Sequence, residues 1–208
     1  MRFVQSRVAL LSICLAVAVA LSGCGGEQTQ VAQAPGAGAV PAAAPAVSQV
    51  ERGKNLIIGG GCHDCHTPKK MGPKGVEFDM DLQLSGHPES AGVPPPFKNA
   101  KGSPYLIHAN DHLTAWSGPW GVSFAANLTP DQNTGLGIWT EDMFVKALKE
   151  GKHMGAGREI LLPMPWFWYG QLPEEDLKAM FAYLKSIKPL INRVPVPLTP
   201  DGKPVEAP

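Results

Sequence analysis

The chain has 208 residues, with 18 basic and 18 acidic side chains, a formal net charge of zero and only 17% charged residues. That balance excludes the basic footprint of a nucleic-acid-binding domain. With 23 Gly and 21 Pro, a compact helical bundle throughout is excluded too, and long loops are expected.

The first 23 residues read as a secretory signal. Arg2 and Arg7 make a positive start, and Val8 to Leu21 is an apolar run of 14 residues broken only by Ser12. That run is short of the roughly 20 residues that span a bilayer. Leu21-Ser22-Gly23-Cys24 resembles the lipobox of bacterial lipoproteins. The resemblance implies cleavage before Cys24 and lipidation of its thiol, and several acyl chains on one residue meet the requirement for stable anchoring. An ordinary signal peptide cleaved near Gly23 is the alternative. The anchor implies the periplasmic side of a bacterial membrane, and Gly25 in place of Asp favours the outer membrane by the same resemblance.

Residues 24–47 are almost all Ala, Pro, Gly, Val and Gln and carry no helical period. They are expected to form a flexible tether. Ser48 is an N-cap, with Glu51 three residues on. Val50, the Lys54 stem, Ile57 and Ile58 give a helical stripe that ends at Gly59-Gly60-Gly61. Gly53 inside this helix costs about 1 kcal/mol against Ala, which a close helix crossing would explain.

Cys62-His63-Asp64-Cys65-His66 follows. This is C-x-x-C-H, the attachment signature of a c-type haem. Two thiols at this spacing reach the two vinyl groups on one side of a porphyrin, and the next imidazole is held under the iron as proximal ligand. A structural zinc site needs four ligands, and no second Cys/His pair accompanies this one.

Residues 67–126 contain Pro68, Gly72-Pro73, Gly86-His87-Pro88, Pro94-Pro95-Pro96 and Gly118-Pro119, with no convincing period. They are expected to be ordered loop around a cofactor, with one or two helical turns. Phe97, Trp116, Trp120 and Phe124 are expected to pack under it. His63 is expected to face solvent. His87, His108 and His112 fall in loops, where a second metal is the alternative to a structural role.

Asn127 to Asp131 reads as a turn. Thr140 caps a short helix with Phe144, Ala147 and Leu148 on its inner face and Gly151 at its end. Gly155 to Gly170 is loop again. Pro173, Glu174, Glu175 and Asp176 open a last helix on which Leu177, Met180, Phe181, Leu184 and Ile187 recur at helical spacing. The six prolines of Pro189–Pro208 predict an extended or frayed tail. The main domain is placed at 48–190 and the tail at 191–208.

This layout resembles a class I cytochrome c over roughly Ser48 to Leu190. The shared features are a helix with an interior Gly, then C-x-x-C-H, loops, a short helix, a Pro-flanked Met and a final helix with Ala182-Tyr183-Leu184. Asn127 to Trp139 and Pro163-Met164-Pro165 are similar to cytochrome subunits that serve membrane dehydrogenases. The resemblance implies an all-α fold with long ordered loops around one covalent haem c. It also implies that Gly53 and Tyr183 sit where the first and last helices cross.

Spacing alone does not choose a sixth iron ligand. Met143 and Met180 lie on predicted helices, and Met71 and Met80 follow the haem motif. Met154 and His153 follow a helix end. Met164 lies between two prolines that stiffen its loop, and the resemblance places the ligand there. Asn127 and Trp139 are candidate donors to a haem propionate. The implied function is one-electron transfer between redox partner proteins by a lipid-anchored monohaem cytochrome that is not itself an enzyme. The alternative is a ligand-binding or redox enzyme subunit with a displaceable sixth ligand.

Overall fold

In the computed structural model, residues 47–96 and 106–205 are described. The helices and strands run α1 (Gln49–Gly59), α2 (Cys62–His66), β1 (Lys69–Gly72), β2 (Gly75–Phe78), β3 (His108–Ala109), β4 (Ala115–Gly118), β5 (Gly121–Phe124), α3 (Glu141–Glu150), α4 (Trp166–Tyr169) and α5 (Glu174–Ser186). The signal segment, Cys24, tether residues 24–46 and Phe97 lie outside the described residues.

The capped helices form where the caps predict. The Ser48 hydroxyl accepts from the Glu51 N–H at 3.2 Å, and that of Thr140 from the Met143 N–H at 3.2 Å. These bonds satisfy backbone donors that a helix start leaves without partners. Gly151, at φ +69°, ends α3 in the left-handed conformation.

The core lies where α1, α3 and α5 meet. Ile57, Phe144, Val145, Leu148, Leu177, Met180, Phe181 and Leu184 are buried together, with Leu136 from the preceding turn. Phe144 and Phe181 pack with ring centroids 5.3 Å apart. Arg52 Nε donates to Asp176 Oδ1 across the α1–α5 contact. Lys185 reaches back from α5 to donate to the carbonyls of Leu136 and Gly137 at 3.2 and 2.7 Å, pinning the turn before α3.

Gly53 sits at the crossing. A Cβ there would stand 1.8 Å from the Ala179 carbonyl oxygen and 3.0 Å from the Met180 nitrogen. Tyr183, one turn further along α5, is half-buried against the core. Gly53→Ala should therefore lower stability by about 1–2 kcal/mol. Overpacking against backbone costs up to about 3 kcal/mol, which outweighs the roughly 1 kcal/mol that Ala gains in helix propensity. Gly59→Ala in the same helix meets nothing within 4 Å and should be neutral or mildly stabilising. Urea unfolding of the two variants checks the contrast, and equal effects would show that the crossing is not the cause.

The expectation of an all-α fold is overturned. Residues 67–126 build two small antiparallel sheets, β1–β2 and β3–β4–β5, so the architecture is mixed. The β1–β2 and β4–β5 hairpins turn on the same four-residue pattern. Gly72 pairs with Gly75 around Pro73-Lys74, and Gly118 pairs with Gly121 around Pro119-Trp120. Proline presets φ at the first turn position. The closing glycines, at φ +111° and +105°, adopt a conformation other residues avoid. Strands of two to four residues are too short to show alternation, so the pattern reads as punctuation until its partner strands are known.

The C-terminal proline-rich segment is bonded to the domain. Val122 of β5 and Leu198 exchange N–H···O=C bonds of 2.9 and 2.8 Å. The Asn192 side chain donates to the carbonyls of Ser85 and His87 at 2.7 and 2.8 Å and accepts from the Glu89 N–H at 3.0 Å.

Candidate functional site

The chain turns from α1 into α2 through Gly61, at φ +67°. The first and fourth positions of one helical turn lie on one face, which places Cys62 and Cys65 together. Both thiols and His66 line a cavity of about 690 Å³, within the range of about 300–1,000 Å³ usual for cofactor sites. Its apolar wall includes Ile57, Leu128, Leu136, Phe144, Leu148 and Leu184. Burial pushes the Cys62 thiol up to about 12 and raises that of Cys65, so both are protonated thiols near neutral pH.

His66 is buried, and its Nδ1 lies 2.8 Å from the Ala126 carbonyl oxygen. A carbonyl only accepts, so Nδ1 carries the proton and Nε2 keeps its lone pair. That is the tautomer a metal-ligating histidine needs. Burial holds its pKa down at about 4, against a smaller raising effect of the Ala126 bond, so the ring is neutral. Ala126 is itself held in place by its neighbours. His87 N donates to Ala125 O at 2.9 Å, Gly86 N to His66 O at 2.8 Å and Leu128 N to Leu84 O at 2.9 Å.

Lys69 is buried beside the motif. Its ammonium donates to the carbonyls of Asp64 and of Thr67, the latter at 3.0 Å, and stands 4.9 Å from the Phe78 ring centroid. It neutralises the negative end of α2. Tyr169 of α4 donates its hydroxyl to the Gly60 carbonyl and closes the turn from behind.

Met164 also lines the cavity. Its loop is fixed by Ile160 N donating to Gly151 O at 2.7 Å and by the Ser123 hydroxyl donating to Leu162 O at 2.5 Å. Among the other sulfur candidates, Met71 and Met80 are 78% and 55% exposed, and Met180 is part of the core and also of the cavity wall. His153 lines the cavity, whereas its neighbour Met154 is not part of the wall. Cys24 lies outside the described residues.

Several expectations for polar residues change. Asn127 is not a free donor to a propionate. Its amide hydrogens go to Thr134 Oγ1 at 3.2 Å and Leu190 O at 2.8 Å, and its oxygen accepts from Thr129 N and Oγ1. An amide has two N–H groups, and both are in use, one on Thr134 in the same turn and one on the C-terminal segment at Leu190. His63 is half-buried, with Nδ1 2.9 Å from Thr67 Oγ1. His87 is fully buried and uses both nitrogens, on Thr114 Oγ1 and Gly92 O. His112 Nδ1 donates to Lys69 O at 2.6 Å. No group of three or more His, Cys, Asp or Glu side chains suited to a bare metal ion occurs among the described residues. Trp116 and Phe124 do line the cavity. Sequence reasoning missed Arg158, Arg193 and the extended chain from Val194 to Pro197, which also form its wall. No local pattern marks them.

No family model matches the chain. It is 27% identical over 161 residues to one of the polypeptides of nicotinate dehydrogenase from Pseudomonas putida, a match that covers 77% of this chain and 10% of the relative. It is 28% identical over 135 residues to the gluconate 2-dehydrogenase cytochrome c subunit of Pantoea cypripedii, covering 64% and 22%. The chain is similar to cytochrome c subunits of dehydrogenases. The fructose dehydrogenase cytochrome subunit of Gluconobacter japonicus adds 35% identity over 77 residues, 36% of this chain and 16% of that one. The chain thus spans between 10% and 22% of the length of these relatives. A cytochrome c-type relationship implies haem c, and the donor set fits it: two thiols, a neutral imidazole of fixed tautomer and a thioether share one largely apolar cavity. Among the described residues no helix is long and apolar enough to cross a membrane.

Proposed function

We propose that the protein is a one-electron carrier, a monohaem cytochrome c held at the periplasmic face of a membrane by lipid on Cys24. Cys62 and Cys65 attach the haem, and His66 and Met164 ligate its iron. The observation that carries this reading is the C-x-x-C-H turn on the wall of a cavity of about 690 Å³, with His66 Nδ1 bonded to Ala126 O. The relatives are named as dehydrogenase subunits, which supports a dehydrogenase as the electron donor. The electron then passes to a second redox protein.

Haem c, when bound, supplies an iron that takes up and releases one electron. The chain's own residues do the rest. Cys62 and Cys65 would hold the haem as thioethers, each thiol's sulfur and hydrogen adding across one vinyl group with no oxidant needed. Ala126 O orients the His66 ring and increases its basicity. The thioether of Met164 favours the ferrous state and so raises the potential. Apolar side chains keep water from the cavity. With the composition of residues 24–47, a tether there would let a lipid-anchored domain reach between partners.

One purified sample tests the reading. The mature chain should carry the mass of one covalent haem and of acyl chains on Cys24, and its ferrous spectrum should not change with carbon monoxide. An unmodified Cys24 rejects the anchor. A carbon monoxide adduct replaces the electron carrier with a ligand-binding protein. A colourless protein rejects haem altogether.

A further inference from the structure

One cation is buried against the attachment turn without a counter-ion. Lys69 is buried and follows His66 by three residues. Its ammonium donates to the carbonyls of Asp64 and Thr67 and stands over the Phe78 ring. Carbonyls and a ring face offer partial charge, never a full negative one. Among the described residues Lys69 forms no ion pair, whereas its exposed neighbour Lys70 pairs with Asp79 at 3.1 Å. The Asp64 side chain is exposed, and Cys65 bears no charge once it is a thioether. The position is rigid. Lys69 lies opposite Phe78 in the β1–β2 ladder. Asp79 N donates to Pro68 O at 2.8 Å, and the buried Thr67 hydroxyl accepts from Leu84 N at 3.0 Å.

The charge is felt at the imidazole on the cavity wall. Burial is the main cause that lowers the pKa of His66 and of His63, and the positive charge of Lys69 adds to it at both rings. An unpaired buried ammonium costs stability, and a neutral donor would serve the same two carbonyls without that cost. We infer that the fixed positive charge of Lys69, acting through space from behind His66, raises the reduction potential of the cofactor in the cavity. The inference rests on the haem reading. Ferric haem carries one more positive charge than ferrous haem, so a nearby ammonium disfavours the ferric form. Lys69 is not part of the cavity wall, and it acts by its field alone. Because the charge is buried, salt screens it far less than a surface charge.

The test is the midpoint potential of the holoprotein at about pH 6, far below the ordinary lysine pKa of about 10.4. Lys69→Met removes the charge and keeps an unbranched stem. Its reduction equilibrium should shift about tenfold toward the ferric form, a drop of ~59 mV for one electron, with the visible spectrum unchanged. The drop should be the same at about 0.1 M and about 1 M salt. Lys69→Arg keeps the charge and should recover most of the drop. Lys69→Gln keeps a hydrogen-bond donor without the charge and should stay with Lys69→Met. Lys70→Met, at the exposed pair with Asp79, should leave the potential unchanged. A Lys69→Met potential equal to wild type overturns the inference. Recovery in Lys69→Gln but not in Lys69→Arg also overturns it, because the hydrogen bonds then carry the effect. So does a drop that salt removes, or one that comes with an altered spectrum and hence a changed ligand set. If the arginine variant does not mature, the methionine and glutamine variants and the salt series decide. Each of these results leaves the electron-carrier reading intact, whereas a wild-type protein without covalent haem defeats that reading itself.

Discussion

The Cys62→Ala, Cys65→Ala double variant should contain almost no denaturation-resistant haem, and its yield of folded protein should fall at least tenfold. The reason is volume as much as bonding. Ile57, Leu136, Phe144, Leu148, Met180 and Leu184 belong both to the core and to the wall of the cavity of about 690 Å³. An unfilled cavity costs about 24 cal/mol per Å³, and half its volume at that rate, about 8 kcal/mol, already falls within the roughly 5–15 kcal/mol that separates a folded domain from its unfolded chain. Without the thioethers the occupant can leave, and the α1–α3–α5 packing loses its centre. Haem staining of a denaturing gel and a far-UV circular dichroism melt read the two effects. A normal amount of covalent haem in the double variant rejects the attachment assignment.

Met164→Ala should keep its haem and its fold but change its chemistry. A sulfur ligand on ferric haem gives a weak far-red charge-transfer band that a second nitrogen does not. We expect that band in the wild type and its loss in Met164→Ala. The potential should drop by more than about 59 mV, a tenfold shift for one electron, because the thioether that favours ferrous iron is gone. Ferrous protein should then bind carbon monoxide. Met154 does not line the cavity, so Met154→Ala should retain the band. His153 does line it and is the rival nitrogen ligand. A wild type without the band, but with carbon monoxide excluded, would transfer the sixth position from Met164 to a nitrogen.

The parts legible in the sequence are those written in short-range signals. Ser48 and Thr140 announce two helix starts because a cap hydroxyl meets an N–H three residues away. Leu177, Met180, Phe181 and Leu184 announce α5 because helical spacing puts them on one face. The cost of Gly53 in a helix points to a close crossing, and the Ala179 carbonyl stands where its side chain would be. The repeated Gly-Pro-x-Gly of residues 72–75 and 118–121 is equally local. It could have announced the hairpins, but strands this short carry no periodic signal, and all-α was the wrong expectation.

Local signals are therefore enough to place α1, α3 and α5, and to put two thiols and an imidazole together after the first of them. Which side chains face the cavity, and which are already occupied, is settled by the folded chain. Asn127 reads as a free donor until Leu190 O, 63 residues away, takes one of its two hydrogens. Met154 and His153 are neighbours in sequence, yet only His153 reaches the wall. Arg158 has no motif around it, yet folding brings it to the same wall. The physical reason is the same in each case. Caps, turns and helical faces are satisfied within a few residues, whereas burial and the pairing of polar groups depend on partners that only folding brings together.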